Sequence, residues 1–465
     1  MVKFATLTTV LISWALGCHS EAPTIDLGYA TYQGSVIPGH VEQFLGIRYA
    51  QPPIGDLRFR APLPPTLVKG IQSATQYGNA CLQIGLSGNS TTPQSEDCLC
   101  LNIWRPADMN PEERLPILVF VYGGAFVNGE SSYEAYRGDK LVKISGGRVI
   151  VVSLNYRLHA FGFLASKQVK DSGDLNAGLL DQRAAFMWIR RHASQFGGDA
   201  SKITAFGESA GAISIGFHMI AHGGQQHLFD QAMMSSGTAI CGRCVPYADY
   251  QYNYDNIVNQ TGCASSQDTL DCLRRIHATD LLQVVGTLYN STGSGYYPVI
   301  DGTYISRFSK IPMLLGTNTD EGTYFALLNS INTTAQLVES IKEMAGALND
   351  TSVQIILNLY LEASNPPGAP YPEFSRAASI MGDMLFRCPA YFTAPVINSM
   401  HRFGNTGSTS MIGWSLVPFM AMTCSLHLIK PPISILRAFM PRWPMSYQAT
   451  TPDLPLPVIQ IRTGC

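Results

Sequence analysis

The stretch Ile203-Thr204-Ala205-Phe206-Gly207-Glu208-Ser209-Ala210-Gly211 decides the fold of this chain. A short apolar run leads into the pattern Gly-x-Ser-x-Gly, and a helix-compatible stretch follows over 212–220. A serine at the tip of a sharp turn between strand and helix needs small neighbours, because the strand and the helix cross too closely for side chains. The bare pattern arises by chance in a glycine-rich chain, so its context carries the argument. We predict that Ser209 is a catalytic nucleophile.

Further apolar runs alternate with helical stretches on both sides of this segment. The predicted buried strands cover 117–121, 149–154, 203–206, 232–234 and 313–315. A helix is predicted over 179–195, where Ala185, Trp188, Ile189 and His192 share one face. Continuous apolar strands separated by helices predict an α/β fold with a mostly parallel central sheet and helices on both faces.

Three loops should meet at the carboxyl edge of this sheet, where the sites of α/β proteins lie. Residues 122–126 follow the first strand, Ser209 follows the third, and 320–322 follow the last. An acyl-transfer site needs a nucleophile, a histidine base, a carboxylate and backbone donors for the oxyanion. Gly124, Ala125 and Ala210 are small enough to offer their N–H groups, although the Gly-Gly loop could also be a simple turn. The order of these groups suits an α/β-hydrolase.

With these residues in place, the chain resembles the type-B carboxylesterase/lipase family, which includes cholinesterases and secreted fungal-type lipases. The resemblance rests on Phe196-Gly197-Gly198-Asp199 leading into the serine pattern, and on Glu96-Asp97-Cys98-Leu99-Cys100-Leu101-Asn102. It extends from about residue 25 to about residue 398. Further similar segments lie at 44–50, 155–157, 178–182, 235–237 and 319–322.

The resemblance implies a role for several residues. It makes Glu321 the acid of the triad, and Gly124, Ala125 and Ala210 the oxyanion donors. It also implies the disulfides Cys81–Cys98 and Cys263–Cys272. The alternative for Glu321 is a solvated loop carboxylate. We expect Glu208 to support the site rather than to act in catalysis, and we expect structural roles for the polar residues Arg48, Asn155, Arg157 and Asp181.

Composition and the amino terminus bear on partners and compartment. The chain has 465 residues, a formal charge of −2 and scattered basic residues, so nucleic acid is not an expected partner. Lys3 precedes the apolar stretch 4–16, which predicts a signal peptide over 1–20, with an uncleaved anchor as the alternative. No later run predicts a membrane span. Eleven cysteines fit an oxidising compartment, and five sequons fit glycosylation, so we expect a secreted protein.

The sequence favours a neutral ester or lipid as substrate. A quaternary ammonium group needs an aromatic face, and no Trp, Tyr or Phe lies between Cys81 and Cys98. Cys241-x-x-Cys244 alone is weak evidence for a metal, so we expect neither a metal nor a cofactor.

The base of the triad is missing from the sequence as written. The family's histidine should follow the acid by about a hundred residues in a His-Gly-x-Asp context, and neither His401 nor His427 stands in such a context. From residue 406 onward the composition changes: those 60 residues hold one acidic residue, Asp453. The expected organisation is therefore a signal peptide over 1–20, an α/β-hydrolase domain over 21–405 and an atypical tail over 406–465.

The genetic code suggests an origin for the tail. Residues 419–423, Phe-Met-Ala-Met-Thr, are encoded TTY ATG GCN ATG ACN. Read from the last base of the first codon, this becomes YAT GGC NAT GAC, which permits His-Gly-Asp-Asp about 98 positions after Glu321. We therefore hypothesise a one-base slip of the reading frame near residues 405–409. The function predicted is a secreted carboxylic ester hydrolase, and the alternative is a non-catalytic binding or adhesion relative, or a homologue inactive without the histidine.

Overall fold

The structure is a computed structural model. It describes residues 22–84, 92–110, 112–222, 227–239, 246–292, 295–302, 313–318, 320–345, 348–360, 368–390 and 393. The predicted signal peptide, His401, His427 and the tail lie outside the described residues.

Thirteen strands are found in the described part of the chain. In chain order they are β1 (Thr24–Asp26), β2 (Thr31–Gln33), β3 (Ser35–Ile37), β4 (Val41–Arg48), β5 (Ile71–Ser73), β6 (Ala80–Cys81), β7 (Gln94–Ser95), β8 (Cys100–Pro106), β9 (Leu115–Val121), β10 (Ile150–Leu154), β11 (Gly198–Glu208), β12 (Gln231–Ser235) and β13 (Met313–Gly316).

The helices of the same residues surround this framework. They are α1 (Asp139–Ile144), α2 (His159–Phe163), α3 (Lys167–Ser172), α4 (Ala177–His192), α5 (Ala210–Ile220), α6 (Gln251–Gln260), α7 (Thr269–Arg275), α8 (Ala278–Thr292), α9 (Glu321–Asn329), α10 (Thr334–Ala345), α11 (Asp350–Leu359) and α12 (Phe374–Gly382), with a π-helical turn over Asp383–Arg387.

The central sheet has eight strands in the order β13-β12-β11-β9-β10-β8-β4-β3. The five strands from β13 to β10 are parallel, and β8, β4 and β3 add to them in antiparallel fashion. This is the α/β-hydrolase fold with a mostly parallel sheet, as the sequence predicts. All five predicted strands are present, and all five residues of β10 are buried, as expected for a strand covered by helices on both faces.

The predicted helix over 179–195 corresponds to α4, whose last predicted residues form a 3-10 turn instead. Its apolar face is buried as expected: Ala185, Trp188, Ile189 and His192 are all less than 9% exposed. Two of the polar residues expected to be structural form a buried ion pair, in which Arg157 Nε and Nη2 donate to Asp181 at 2.7 Å each.

The described residues form three hydrophobic cores, and the two largest hold most of the helices and strands. The larger one surrounds the central sheet. The smaller one joins helices α9 to α12 through Ala326, Leu337, Ile341, Ile356 and Ile380. Disulfides link Cys81 to Cys98 and Cys263 to Cys272, the two pairs that the resemblance implies.

Candidate active site

Ser209 lies at the turn between β11 and α5, with backbone angles φ 53° and ψ −123°. A non-glycine residue with positive φ is uncommon and strained, and such residues cluster at functional sites. The chain on both sides fixes this conformation: the Ser209 N–H donates to the Ser235 carbonyl at 2.9 Å, and the Ser209 carbonyl accepts from Ile213 N–H at 2.9 Å.

The two glycines of the serine pattern are required by close backbone packing. A Cβ on Gly207 would lie 2.4 Å from the carbonyl carbon of Gly211, and a Cβ on Gly211 would lie 2.0 Å from the Val121 carbonyl oxygen. Both distances are far below a van der Waals contact. The strand and the helix therefore cross at the serine as closely as the sequence argument requires.

The predicted oxyanion loop lies beside this turn. A Cβ on Gly123 would meet the Ser209 Cβ at 2.8 Å. Gly124, Ala125 and Phe126 have consecutive positive φ values of 107°, 53° and 63°. Among the hydrogen bonds of the described residues, none uses the Gly124 or Ala125 N–H group. Ala210 is the first residue of α5, where a helical N–H has no partner within its helix. Two unused N–H groups therefore follow Gly123, which adjoins Ser209, and the Ala210 N–H follows the serine itself.

The sequence suggested that Glu321 lies on a loop. In the structure it is the first residue of α9. Asn318 holds it there: the Asn318 N–H donates to Glu321 Oε1 at 2.6 Å, and Asn318 Nδ2 approaches Oε2 at 3.4 Å. Asn318 Nδ2 also donates to Ser236 Oγ at 3.3 Å. The neighbouring Ser235 carbonyl accepts a hydrogen bond from the Ser209 N–H. The end of β12 therefore binds the serine directly and the acid through Asn318.

Glu208 gives the site a second carboxyl group. Burial, and to a lesser extent the neighbouring charge of Glu321, raise the pKa of Glu208 to about 7. The structure thus brings Ser209, Glu321, Glu208 and the predicted oxyanion residues to one edge of the sheet. Sequence reasoning missed Asn318 and Ser236, because their role depends on a contact between residues 82 positions apart.

No histidine among the described residues forms a hydrogen bond with Ser209 or Glu321. His218 is a buried residue of α5 that contacts Gln182 Oε1 at 3.0 Å, and burial lowers its pKa to about 3. Within the same residues, no group of His, Cys, Asp and Glu side chains could hold a metal ion.

A mostly parallel sheet with a serine in a strained strand-to-helix turn and backbone donors beside it defines the α/β-hydrolase class. The model of the carboxylesterase family matches residues 21–405, and the chain belongs to this family. Its class of activity is carboxylic ester hydrolysis.

Two curated relatives and one solved structure agree with this family assignment. The chain is 32% identical over 443 residues to Lipase 4 of Diutina rugosa, covering 83% of this chain and 79% of the lipase. It is 35% identical over 425 residues to Secreted lipase 1 of Botryotinia fuckeliana, covering 79% and 73%. The crystal structure of Aspergillus niger EstA is similar with a TM-score of 0.75 and 35% identity, covering 82% of this chain and 76% of that chain.

Proposed function

We propose that this protein is a secreted hydrolase of neutral esters or lipids that uses Ser209 as its nucleophile. The observation that carries the proposal is the strained Ser209 backbone, with φ at 53°, held by packing that excludes a Cβ at Gly207 and Gly211. Strain of this kind persists only where the surrounding structure enforces it, and it presents the hydroxyl clear of the sheet.

In this reaction Ser209 Oγ attacks the ester carbonyl carbon while a base accepts its proton. The carbonyl oxygen becomes an oxyanion, which the N–H groups of Gly124, Ala125 and Ala210 stabilise by hydrogen bonds. The tetrahedral intermediate then expels the alcohol, which takes up the proton from the base. Water attacks the resulting acyl-enzyme, and a second tetrahedral intermediate releases the carboxylic acid and restores Ser209.

Glu321 is proposed as the acid that orients the base and stabilises its protonated form. Its position supports this role, since Asn318 fixes its carboxylate next to the end of β12, which also binds the Ser209 backbone. Glu208 is proposed as a supporting group. With a pKa near 7 it can hold a proton in the resting enzyme, which limits the negative charge beside Glu321.

The base itself is proposed to come from the shifted reading frame. Two observations support a slip near residues 405–409: the match to the family model ends at residue 405, and the shifted codons permit His-Gly-Asp-Asp at the expected interval. On this proposal the 465-residue chain as written lacks its triad histidine. The tail after residue 405 then replaces the segment that should complete the site.

Secretion is proposed from the amino-terminal sequence and from relatives named as secreted lipases. No helix of the described residues has the length and apolar character needed to cross a bilayer. The absence of an aromatic residue between Cys81 and Cys98 supports a neutral substrate over a quaternary ammonium ester.

The transcript across codons 400–430 tests the frame proposal directly. We expect a one-base discrepancy upstream of codon 411 and a His-Gly-x-Asp segment in the corrected chain. Turnover of short p-nitrophenyl esters should then be robust in the corrected chain and weaker by about 10⁴-fold or more in the chain as written, because loss of the base removes most serine activation. A transcript that confirms every codon, or equal turnover by both chains, contradicts the proposal.

A further inference from the structure

His159 is a buried imidazole next to the candidate site that the proposed reaction does not use. It begins helix α2 with φ at 55°, and its side chain is completely buried. Neither ring nitrogen has a hydrogen-bond partner among the described residues. Burial lowers the pKa of His159 to about 3, so the ring is neutral and carries one donor and one acceptor. A buried polar group without partners is costly and rare, which makes this ring a candidate for binding a ligand.

The backbone places His159 against the oxyanion loop. Its N–H donates to the carbonyl of Phe126 at 2.8 Å, and Phe126 directly follows Ala125. The Phe126 ring packs in turn against Phe163 at 5.0 Å and lies 6.4 Å from Tyr297. His159 is therefore joined to the loop that is proposed to bind the ester carbonyl.

Two tyrosine rings pack against His159, and a third tyrosine near them lies on the helix that Glu321 begins. The imidazole lies 4.5 Å from the Tyr296 ring and 5.3 Å from the Tyr289 ring. Burial, and to a lesser extent the neighbouring Tyr324, raise the pKa of Tyr289. Tyr324 is half exposed and lies three residues after Glu321 on α9, so both project from the same side of that helix.

The aromatic wall is defined here as His159, Tyr289, Tyr296 and Tyr324. Ring contacts join the first three, and Tyr324 lies close enough to influence the pKa of Tyr289. The aromatic wall runs from half-exposed Tyr324 through partly buried Tyr289 to fully buried His159. Planar rings prefer to pack against other aromatic rings in stacked or edge-to-face geometry. The imidazole at the buried end, whose nitrogens have no partner among the described residues, then selects for a hydrogen-bonding substituent.

We propose that the aromatic wall binds the acyl group of esters of hydroxylated aromatic acids, with His159 receiving a hydrogen bond from the phenolic hydroxyl. This inference rests on the proposed function, because it assumes that the ester carbonyl lies at Gly124 and Ala125. Tyr289 and Tyr296 pack against the imidazole at ring-centroid distances of 5.3 and 4.5 Å. On this proposal the Tyr289 ring, which is only partly buried, must rotate to admit the substrate.

Binding to the 465-residue chain tests the proposal without requiring turnover. The probes are ethyl 4-hydroxybenzoate against ethyl benzoate, and ethyl 4-hydroxycinnamate against ethyl cinnamate, measured by calorimetry in the Ser209→Ala background. We expect the hydroxylated member of at least one pair to bind about 3- to 10-fold more tightly, which is the effect of one neutral hydrogen bond. Equal affinities within both pairs, or no measurable binding of any probe, overturn the proposal.

His159→Phe keeps a ring but removes both nitrogens, and it should abolish the preference for the hydroxyl. His159→Asn tolerates positive φ and retains a polar group, so it guards against a folding defect in the first variant. His40→Phe is the matched control, because His40 has the same φ of 55° but is exposed. A preference that survives in both His159 variants refutes the role of His159.

Hydrolysis of p-nitrophenyl acetate by the frame-corrected chain separates this inference from the proposed function, because an acetyl group is too small to engage the aromatic wall. Turnover of acetate without any hydroxyl preference leaves the proposed function in place and removes the inference. Absence of all ester turnover in a folded, frame-corrected chain removes the proposed function itself.

Discussion

Ser209 and Glu321 each follow a strand of the same sheet, but the molecule holds them in different ways. Ser209 is enclosed by backbone: strands on both sides of β11 and the crossing helix α5 leave no room for a Cβ at Gly207 or Gly211. Glu321 begins a helix of the smaller core, next to the edge strand of the described sheet.

The acid side also has one close backbone crossing. A Cβ on Gly322 would lie 1.8 Å from the Ala378 carbonyl oxygen, so α9 and α12 touch directly after Glu321. The partner in that crossing, however, lies 56 residues further along the chain. The proposed nucleophile is therefore held by neighbouring strands of the central sheet, whereas the acid depends on helices that pack around the smaller core.

The largest effect is expected on the nucleophile side. In the frame-corrected chain, Ser209→Ala should lower ester turnover by about 10⁴- to 10⁶-fold and abolish covalent labelling by an organophosphonate. Folding should be unchanged, because alanine is smaller than serine and Ala125 in the neighbouring loop already has a φ of 53°. Mass spectrometry that located the phosphonate on another residue would refute Ser209 as the nucleophile.

On the acid side, Glu321→Gln should lower turnover by about 10⁴-fold while some labelling of Ser209 remains, because the acid orients the base and does not attack substrate. Asn318→Ala should have a smaller effect, about tenfold, because the side-chain contact to Glu321 is lost while the charge remains. Measurement of kcat for the two variants ranks the contributions of the Glu321 carboxylate and the Asn318 side chain to turnover. Unchanged turnover in Glu321→Gln would remove this residue from the triad.

The smallest expected effect is on the free energy of unfolding. It comes from Glu208, which adjoins Ser209 and is influenced by the charge of Glu321. The pKa of Glu208 is raised to about 7, so the folded chain keeps a proton that the unfolded chain loses between about pH 4.5 and 7. Stability from this group therefore falls as pH rises through that window, by about 1.4 kcal/mol for each unit of pKa shift and at most about 3 kcal/mol.

Glu208→Gln should remove this dependence. Melting temperatures measured from pH 4.5 to 8 should fall less steeply in the variant than in the parent chain, and the variant should gain relative stability at the upper end. Parallel curves for the two chains would show that Glu208 titrates normally. Glu113→Gln, at an exposed loop position, serves as the control.

The amino-acid sequence by itself determined the strands, the serine turn and the class of fold. These features depend on local patterns: continuous apolar runs predict the buried strands, and the Gly-x-Ser-x-Gly pattern of 207–211 predicts a close crossing of strand and helix. The motifs around Ser209 and Glu321 were equally visible, because each occupies one short segment directly after a strand. Even the missing histidine was apparent, since its motif is local.

Only the tertiary structure decided how these segments meet. It placed Glu321 on a helix rather than a loop and linked it through Asn318 to Ser236. It also put His159 against Tyr289 of α8 and Tyr296 of the segment that follows this helix. It also decided the protonation of Glu208, because a raised pKa arises from burial and from a charge 113 positions away. Contacts between distant segments and the loss of solvent around a group leave no pattern in the sequence, since they depend on which surfaces come together when the chain folds.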